Sequence, residues 1–184
     1  LAQADEALNN YLSMNDSPDV DAFANTALMH AENNRPKEVE AALQKLFESS
    51  PSAQKVYGRL LDAAQSGGDL PRTAASIRAF WKGFELRGQG RTDEARDAFS
   101  LAVNEDPENA YANLELGLQL AAEGDTASAA TALKKVSELD SSYQDMLASL
   151  IKALENNEDS TSKLAAVTAY RNSLFALGRK EMEQ

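Results

Sequence analysis

Residues 76–109 read SIRAFWKGFELRGQGRTDEARDAFSLAVNEDPEN, and residues 110–143 read AYANLELGLQLAAEGDTASAATALKKVSELDSSY. Laid over each other, they match Gly83 with Gly117, Leu86 with Leu120, Gly90 with Gly124, Ala95 with Ala129, Phe99 with Leu133 and Ala102 with Val136, every pair at the same interval. A period of this size, about 34 residues, marks stacked supersecondary units, each too small to bury its own apolar face. Apolar residues recur three or four apart in blocks of about 12 to 15 residues, the pattern of short amphipathic helices. The first segment therefore reads as a helix carrying Ala79, Gly83 and Leu86, a turn at Gly88-Gln89-Gly90, and a second helix carrying Ala95, Phe99 and Ala102. Asp106-Pro107 stops it, since proline cannot continue a helix. Gly83 and Ala95 fall where two antiparallel helices must cross closely, and Gly90 suits the left-handed residue that ends a helix. Thr92 or Asp93 is placed to cap the second helix.

These residues resemble a tetratricopeptide repeat (TPR). That pattern asks for small residues at positions eight and twenty, glycine at fifteen and a large apolar residue at twenty-four; Gly83, Ala95, Gly90 and Phe99 meet it in order. Ala102 and Pro107 match the pattern's alanine and closing proline, while Ala79 and Lys82 depart from its usual aromatic and leucine. The segment 110–143 keeps Leu116, Gly117, Leu120, Gly124, Ala129 and Leu133 but has Ser141 in place of the closing proline. The resemblance implies an all-α, right-handed superhelical solenoid of stacked helix-turn-helix repeats.

Outside this pair the match loosens. Phe23, Ala27, Val39, Leu43, Leu46 and Pro51 fall on the same pattern, with Asn34 replacing the turn glycine, and Ala7, Tyr11 and Met14 read as the second helix of an earlier unit. The period then breaks, because the interval from Pro51 to Pro107 falls short of two whole units by the length of one short helix. Three helices are expected there instead of four: residues 53–66, a turn at Gly67-Gly68-Asp69-Leu70-Pro71, one long helix over residues 72–87, and then 92 onward. The tail reads as a helix, a polar loop at Asn156 to Ser160, and a longer helix with Leu164, Val167, Tyr170, Leu174 and Leu177 on one face. The expected organisation is a degenerate N-terminal block at 1–66, a central block at 67–143 holding the two best repeats, and C-terminal repeat-like or capping helices at 144–184.

Charge and composition narrow the function classes. The net charge is −11, and the stretch from Leu1 to Asn34 carries Asp5, Glu6, Asp16, Asp19, Asp21 and Glu32 without one lysine or arginine. Nucleic acid and anionic lipid are therefore disfavoured partners, since both are bound mainly through cations. No run approaches the roughly 20 apolar residues of a spanning helix, so no direct membrane insertion by this segment is expected. His30 is the single histidine and cysteine is absent, which leaves no material for a histidine-based triad or a thiolate site. His30 reads as a packed side chain. The acidic loop Asn156-Asn157-Glu158-Asp159 lacks the spacing of a calcium loop, and Gly88-Gln89-Gly90 follows no strand and lacks the ending of a phosphate cradle. No catalytic residue, metal site or cofactor is expected, and the chain reads as no enzyme.

The resemblance implies a concave groove lined by the first helix of each repeat. Carried over, its positions are Ile77, Phe80, Phe84, Arg87 and Gly88, then Tyr111, Leu114, Leu118, Ala121 and Ala122. With Arg78, Trp81 and Lys82 alongside, this makes an aromatic, apolar strip with a basic edge, the composition of an interaction hot spot. The expected partner-binding residues are Ile77, Arg78, Phe80, Trp81, Lys82, Phe84, Arg87, Tyr111, Leu114 and Leu118. The family's carboxylate clamp needs lysine and asparagine where this chain has Phe84, Phe80 and Leu118, so it is set aside. An apolar strip of this kind calls for cover, either by a protein or peptide partner, by the chain's own long C-terminal helix, or by a second copy in a homo-oligomer. The expected function is a non-catalytic protein-protein interaction module or assembly scaffold that takes a peptide or helix in the groove. The alternative is a structural spacer of a larger envelope or secretion machine. The opening at Leu1, without a signal-like stretch, suggests a piece of a longer chain, soluble and cytoplasmic or bacterial periplasmic.

Overall fold

The computed structural model describes the backbone of residues 20–182 and the side chains of residues 20–172. Ala7, Tyr11 and Met14, and the side chains of Leu174 and Leu177, lie outside the described residues. The described elements are α1 (Val20–Glu32), α2 (Pro36–Ser49), α3 (Gln54–Ser66), α4 (Leu70–Gly88), α5 (Thr92–Glu105), α6 (Ala110–Glu123), α7 (Thr126–Leu139), α8 (Gln144–Glu155) and α9 (Thr161–Met182). Short 3-10 turns at Pro51–Ala53 and Ser141–Tyr143 precede α3 and α8. Within the described residues α1 packs on α2 and α2 on α3, and further along α5 packs on α6, α6 on α7 and α7 on α8, so the fold is all-helical and built of stacked helix hairpins.

The same two connections recur. Among the described residues, left-handed positions end helices at Asn34, Gly67, Gly90, Gly124 and Asn157. In each case the next amide donates to the carbonyl five positions back: Arg35 to His30, Gly68 to Ala63, Arg91 to Leu86, Asp125 to Leu120 and Glu158 to Ala153. This closure satisfies carbonyls that the helix end would leave bare. The return connection turns on one extended residue, Ser50, Asp106 or Asp140, with φ of −145°, −137° and −141°. Each donates its amide to the carbonyl four positions back, at Leu46, Ala102 and Val136, and its own carbonyl then accepts from the amide three positions on, at Ala53, Asn109 and Tyr143. Ser141 thus follows the same kind of corner as Pro51 and Pro107, and the corner forms there without a proline.

The break in the period is a three-helix passage. Between Pro51 and Pro107 the chain forms α3, α4 and α5, as the missing length demands. Leu70 and Pro71 belong to α4 and not to the turn, because Asp69 caps the helix through its side chain, which accepts from the amide of Arg72 at 3.1 Å. Proline is tolerated there, where its missing N–H has no partner to lose. Neither Thr92 nor Asp93 caps α5; Arg91 holds the cap position without a side-chain bond and pairs with Glu94 instead. Asn109 and Asp125 do cap α6 and α7, accepting from the amides of Ala112 and Ser128.

The chain divides into two compact units, one up to Ala74 together with the end from Gly178, the other Ala75–Leu177. In the first, Phe23, Ala27 and Leu28 of α1, Val39, Leu43 and Leu46 of α2 and Leu60 of α3 are buried, and His30 is buried with them, as read from its place in the pattern. In the second, α4 meets α5 where Gly83 faces Phe99, and α6 meets α7 where Gly117 faces Leu133. The two contacts are equivalent, one repeat from each other. A buried polar link ties the two ends of the first repeat together, just ahead of α6: Ser76 Oγ donates to the carbonyl of Ala102 at 2.7 Å, and Asn109 Nδ2 donates to Ser76 Oγ at 3.0 Å.

Candidate functional site

The first helices α4 and α6 of the unit Ala75–Leu177 carry the residues singled out above. Phe80 is the centre of an aromatic group: its ring centroid lies 4.9 Å from that of Phe84, 5.3 Å from Trp81, 6.2 Å from Phe99 and 6.5 Å from Tyr111. Tyr111 continues the group to Tyr143, 6.5 Å away and near perpendicular. Tilted and edge-on contacts of this kind set the electropositive rim of one ring against the face of another.

An exposed apolar strip is not what this face presents. Ile77, Phe80 and Leu114 each keep 1% of their surface and Leu118 keeps 4%, so these four are packing residues. Phe84 and Tyr111 are half-buried, and burial pushes the phenols of both Tyr111 and Tyr143 above their usual range. Arg78, Trp81 and Lys82 are exposed, on one side of α4 at three- and four-residue spacing. Lys82 Nζ donates to Glu85 at 2.8 Å. The basic edge therefore holds a mixture: a paired lysine, an arginine on the surface, and Arg87 turned inward.

Arg87 leads to the feature that the repeat pattern did not signal. Its Nη1 donates to Glu115 Oε2 at 2.5 Å, while its guanidinium lies 4.5 Å from the Phe84 centroid and 5.5 Å from that of Phe99. Glu115 has no exposed surface. A second cation comes from α9, where Arg171 Nε stands 3.4 Å from Glu115 Oε1. Desolvation lowers the pKa of Arg171 and the charge of Glu115 opposes that shift.

The same helix supplies apolar cover. Val167 of α9, 4% exposed, joins one core cluster with Leu114 and Leu118 of α6, Leu133 of α7, and Ile151 and Leu154 of α8, and Leu164 packs against it. The inward stripe of α9 is thus Leu164, Val167 and Arg171. Tyr170, expected on that stripe, is 49% exposed. The sequence signal for Arg171 was present only as spacing: it stands four positions after Val167, one helical turn on. A charged residue is normally assigned to the solvent face, and the buried carboxylate that receives it belongs to α6, three helices earlier in the chain.

Among the described residues no helix is long and apolar enough to cross a membrane. No protein-family model, curated protein or solved structure matches the chain.

Proposed function

We propose that this chain is a non-catalytic protein-interaction module or assembly scaffold of tetratricopeptide type, which takes a helical segment of a partner protein on the first-helix face of the unit Ala75–Leu177. The observation that carries the reading is the seating of α9: this face already receives a helix, through Val167 on an apolar floor and Arg171 on Glu115. Trp81 stands one repeat before Glu115 and is 39% exposed. A partner segment laid along the repeat would meet Trp81 where α9 meets Glu115, with Arg78 and Lys82 beside it. Aromatic and arginine side chains in such positions commonly dominate binding energy. Arg78 and Lys82 also favour an acidic flank on the partner. No residue here is assigned a catalytic role.

The reading is tested with a variant carrying Arg78→Glu, Trp81→Ala and Lys82→Glu, all at exposed positions, so that its circular dichroism should match the wild type. Proteins captured by the wild type from the native organism should be lost by this variant. Equal capture by both chains would remove α4 from the binding face.

A further inference from the structure

The buried charges around Glu115 are unevenly paired. Arg87 Nη1 makes a hydrogen bond to Oε2 at 2.5 Å. Arg171 is close but not aligned: its Nε lies 3.4 Å from Oε1, and neither atom has a hydrogen-bond partner. A guanidinium taken out of water gains its full return only when it is bonded in good geometry, so α9 is held by an ion pair that another arginine can match or improve. Among the described side chains, the apolar hold on α9 comes from Val167, with Leu164 packed beside it. From Thr161 to Asn172 only Val167 and Arg171 are buried, while Ala165, Ala166, Ala169, Tyr170 and Asn172 are exposed. Glu115 itself sits on α6 and stays behind if α9 leaves.

We propose that α9 is an internal ligand of the α6 face, and that Glu115 is the residue through which this face selects a helix presenting an apolar side chain and, four positions later, an arginine. The proposal rests on the helix-capture reading and adds the chemistry of the captured helix. A partner helix with that pattern takes the seat of Val167 and Arg171 when α9 gives it up. Complementarity sets the direction of selection: Glu115 retains one cation from Arg87 and has its other oxygen to offer, so a second arginine is accepted and a second carboxylate is repelled.

A labelled peptide with the sequence of residues 161–182 is the probe, with binding followed by fluorescence anisotropy on the full chain. The wild-type chain, whose seat is filled, should bind it weakly. The Arg171→Glu chain drives a carboxylate against Glu115, frees the seat, and should bind the peptide roughly tenfold or more tightly than the wild type does. A peptide carrying the same Arg171→Glu change should lose that gain, and adding Glu115→Gln to the Arg171→Glu chain should erase the preference between the two peptides. Should Arg171→Glu reduce the helical circular dichroism, Arg171→Ala serves in its place. A folded variant that binds the peptide no better than the wild type, or binds both peptides alike, overturns the proposal. Because this assay uses no external partner, equal capture by the wild type and the Trp81 variant, together with a positive peptide result, would count against the helix-capture reading at α4 and leave the seat on α6 standing.

Discussion

A methyl group on Gly83 would lie 2.5 Å from Cε1 of Phe99, and one on Gly117 would lie 2.8 Å from Cδ2 of Leu133. Both obstacles are fully buried side chains with little room to retreat, since Phe99 and Leu133 are 0% exposed. Glycine inside a helix ordinarily weakens it by about 1 kcal/mol relative to alanine, and at Gly58 of α3 an added methyl would meet only Gln54 Cγ at 3.9 Å. The sign of the same substitution should therefore differ with position. Gly58→Ala is expected to stabilise the protein by about 1 kcal/mol, whereas Gly83→Ala should cost about 1–3 kcal/mol through overpacking. Urea denaturation of the two variants checks this, and a Gly83→Ala protein as stable as the wild type would mean that the α4 and α5 backbones are not held together at this point.

At the scale of elements, the helices and their order were readable because each boundary has a local chemical cause. Asn34, Gly90 and Gly124 announce their left-handed turns, and the missing length between Pro51 and Pro107 announces α3, α4 and α5. What the repeat could not announce is which side of each first helix meets solvent. Pattern positions place Phe80 and Leu118 on an open face, but the neighbouring rings of Phe84, Phe99 and Tyr111 close over Phe80, and α9 brings Val167 into the cluster that holds Leu118. Apart from Phe84, one turn along the same helix, those contacts join residues far apart in sequence, so no local pattern encodes them. The tyrosine pair shows such a contact between elements: Tyr111 of α6 against Tyr143, in the 3-10 turn before α8. Burial raises both phenol pKa values above the ordinary 10.0. The unfolded chain then releases these protons first as pH rises, so it binds fewer protons than the native state and stability falls with increasing pH. The loss should begin near pH 10 and reach up to about 1.4 kcal/mol per pH unit for each fully shifted phenol. Tyr143→Phe should flatten this alkaline slope, which pH-dependent urea midpoints measure; an unchanged slope would show that Tyr143 contributes nothing to it.

For the molecule as a whole, the division at Ala74 makes the unit Ala75–Leu177 an assembly with its own interior. Its core runs through α6, α7, α8 and α9 from Leu114 to Val167, and its front end is tied on by Gly83 against Phe99 and by the Ser76, Ala102 and Asn109 bonds. These links all close within residues 75–177, as does the set Arg87, Glu115 and Arg171. In a stack of repeats stability is approximately the sum of each unit and its interfaces with neighbours, so a segment that keeps its internal interfaces should fold without the rest. A fragment from Leu70 to Leu177, which retains the opening turn of α4 without its Asp69 cap, is expected to show helical circular dichroism and a cooperative thermal transition. Its near-ultraviolet signal should report the packed group around Phe80 and Tyr111. Adding Leu133→Ala inside the fragment opens a cavity under Gly117 and should cost about 2–5 kcal/mol, lowering the midpoint while the transition stays cooperative. A fragment that melts gradually, with no near-ultraviolet signal, would show that the interior from Leu114 to Val167 is too small to order this unit alone.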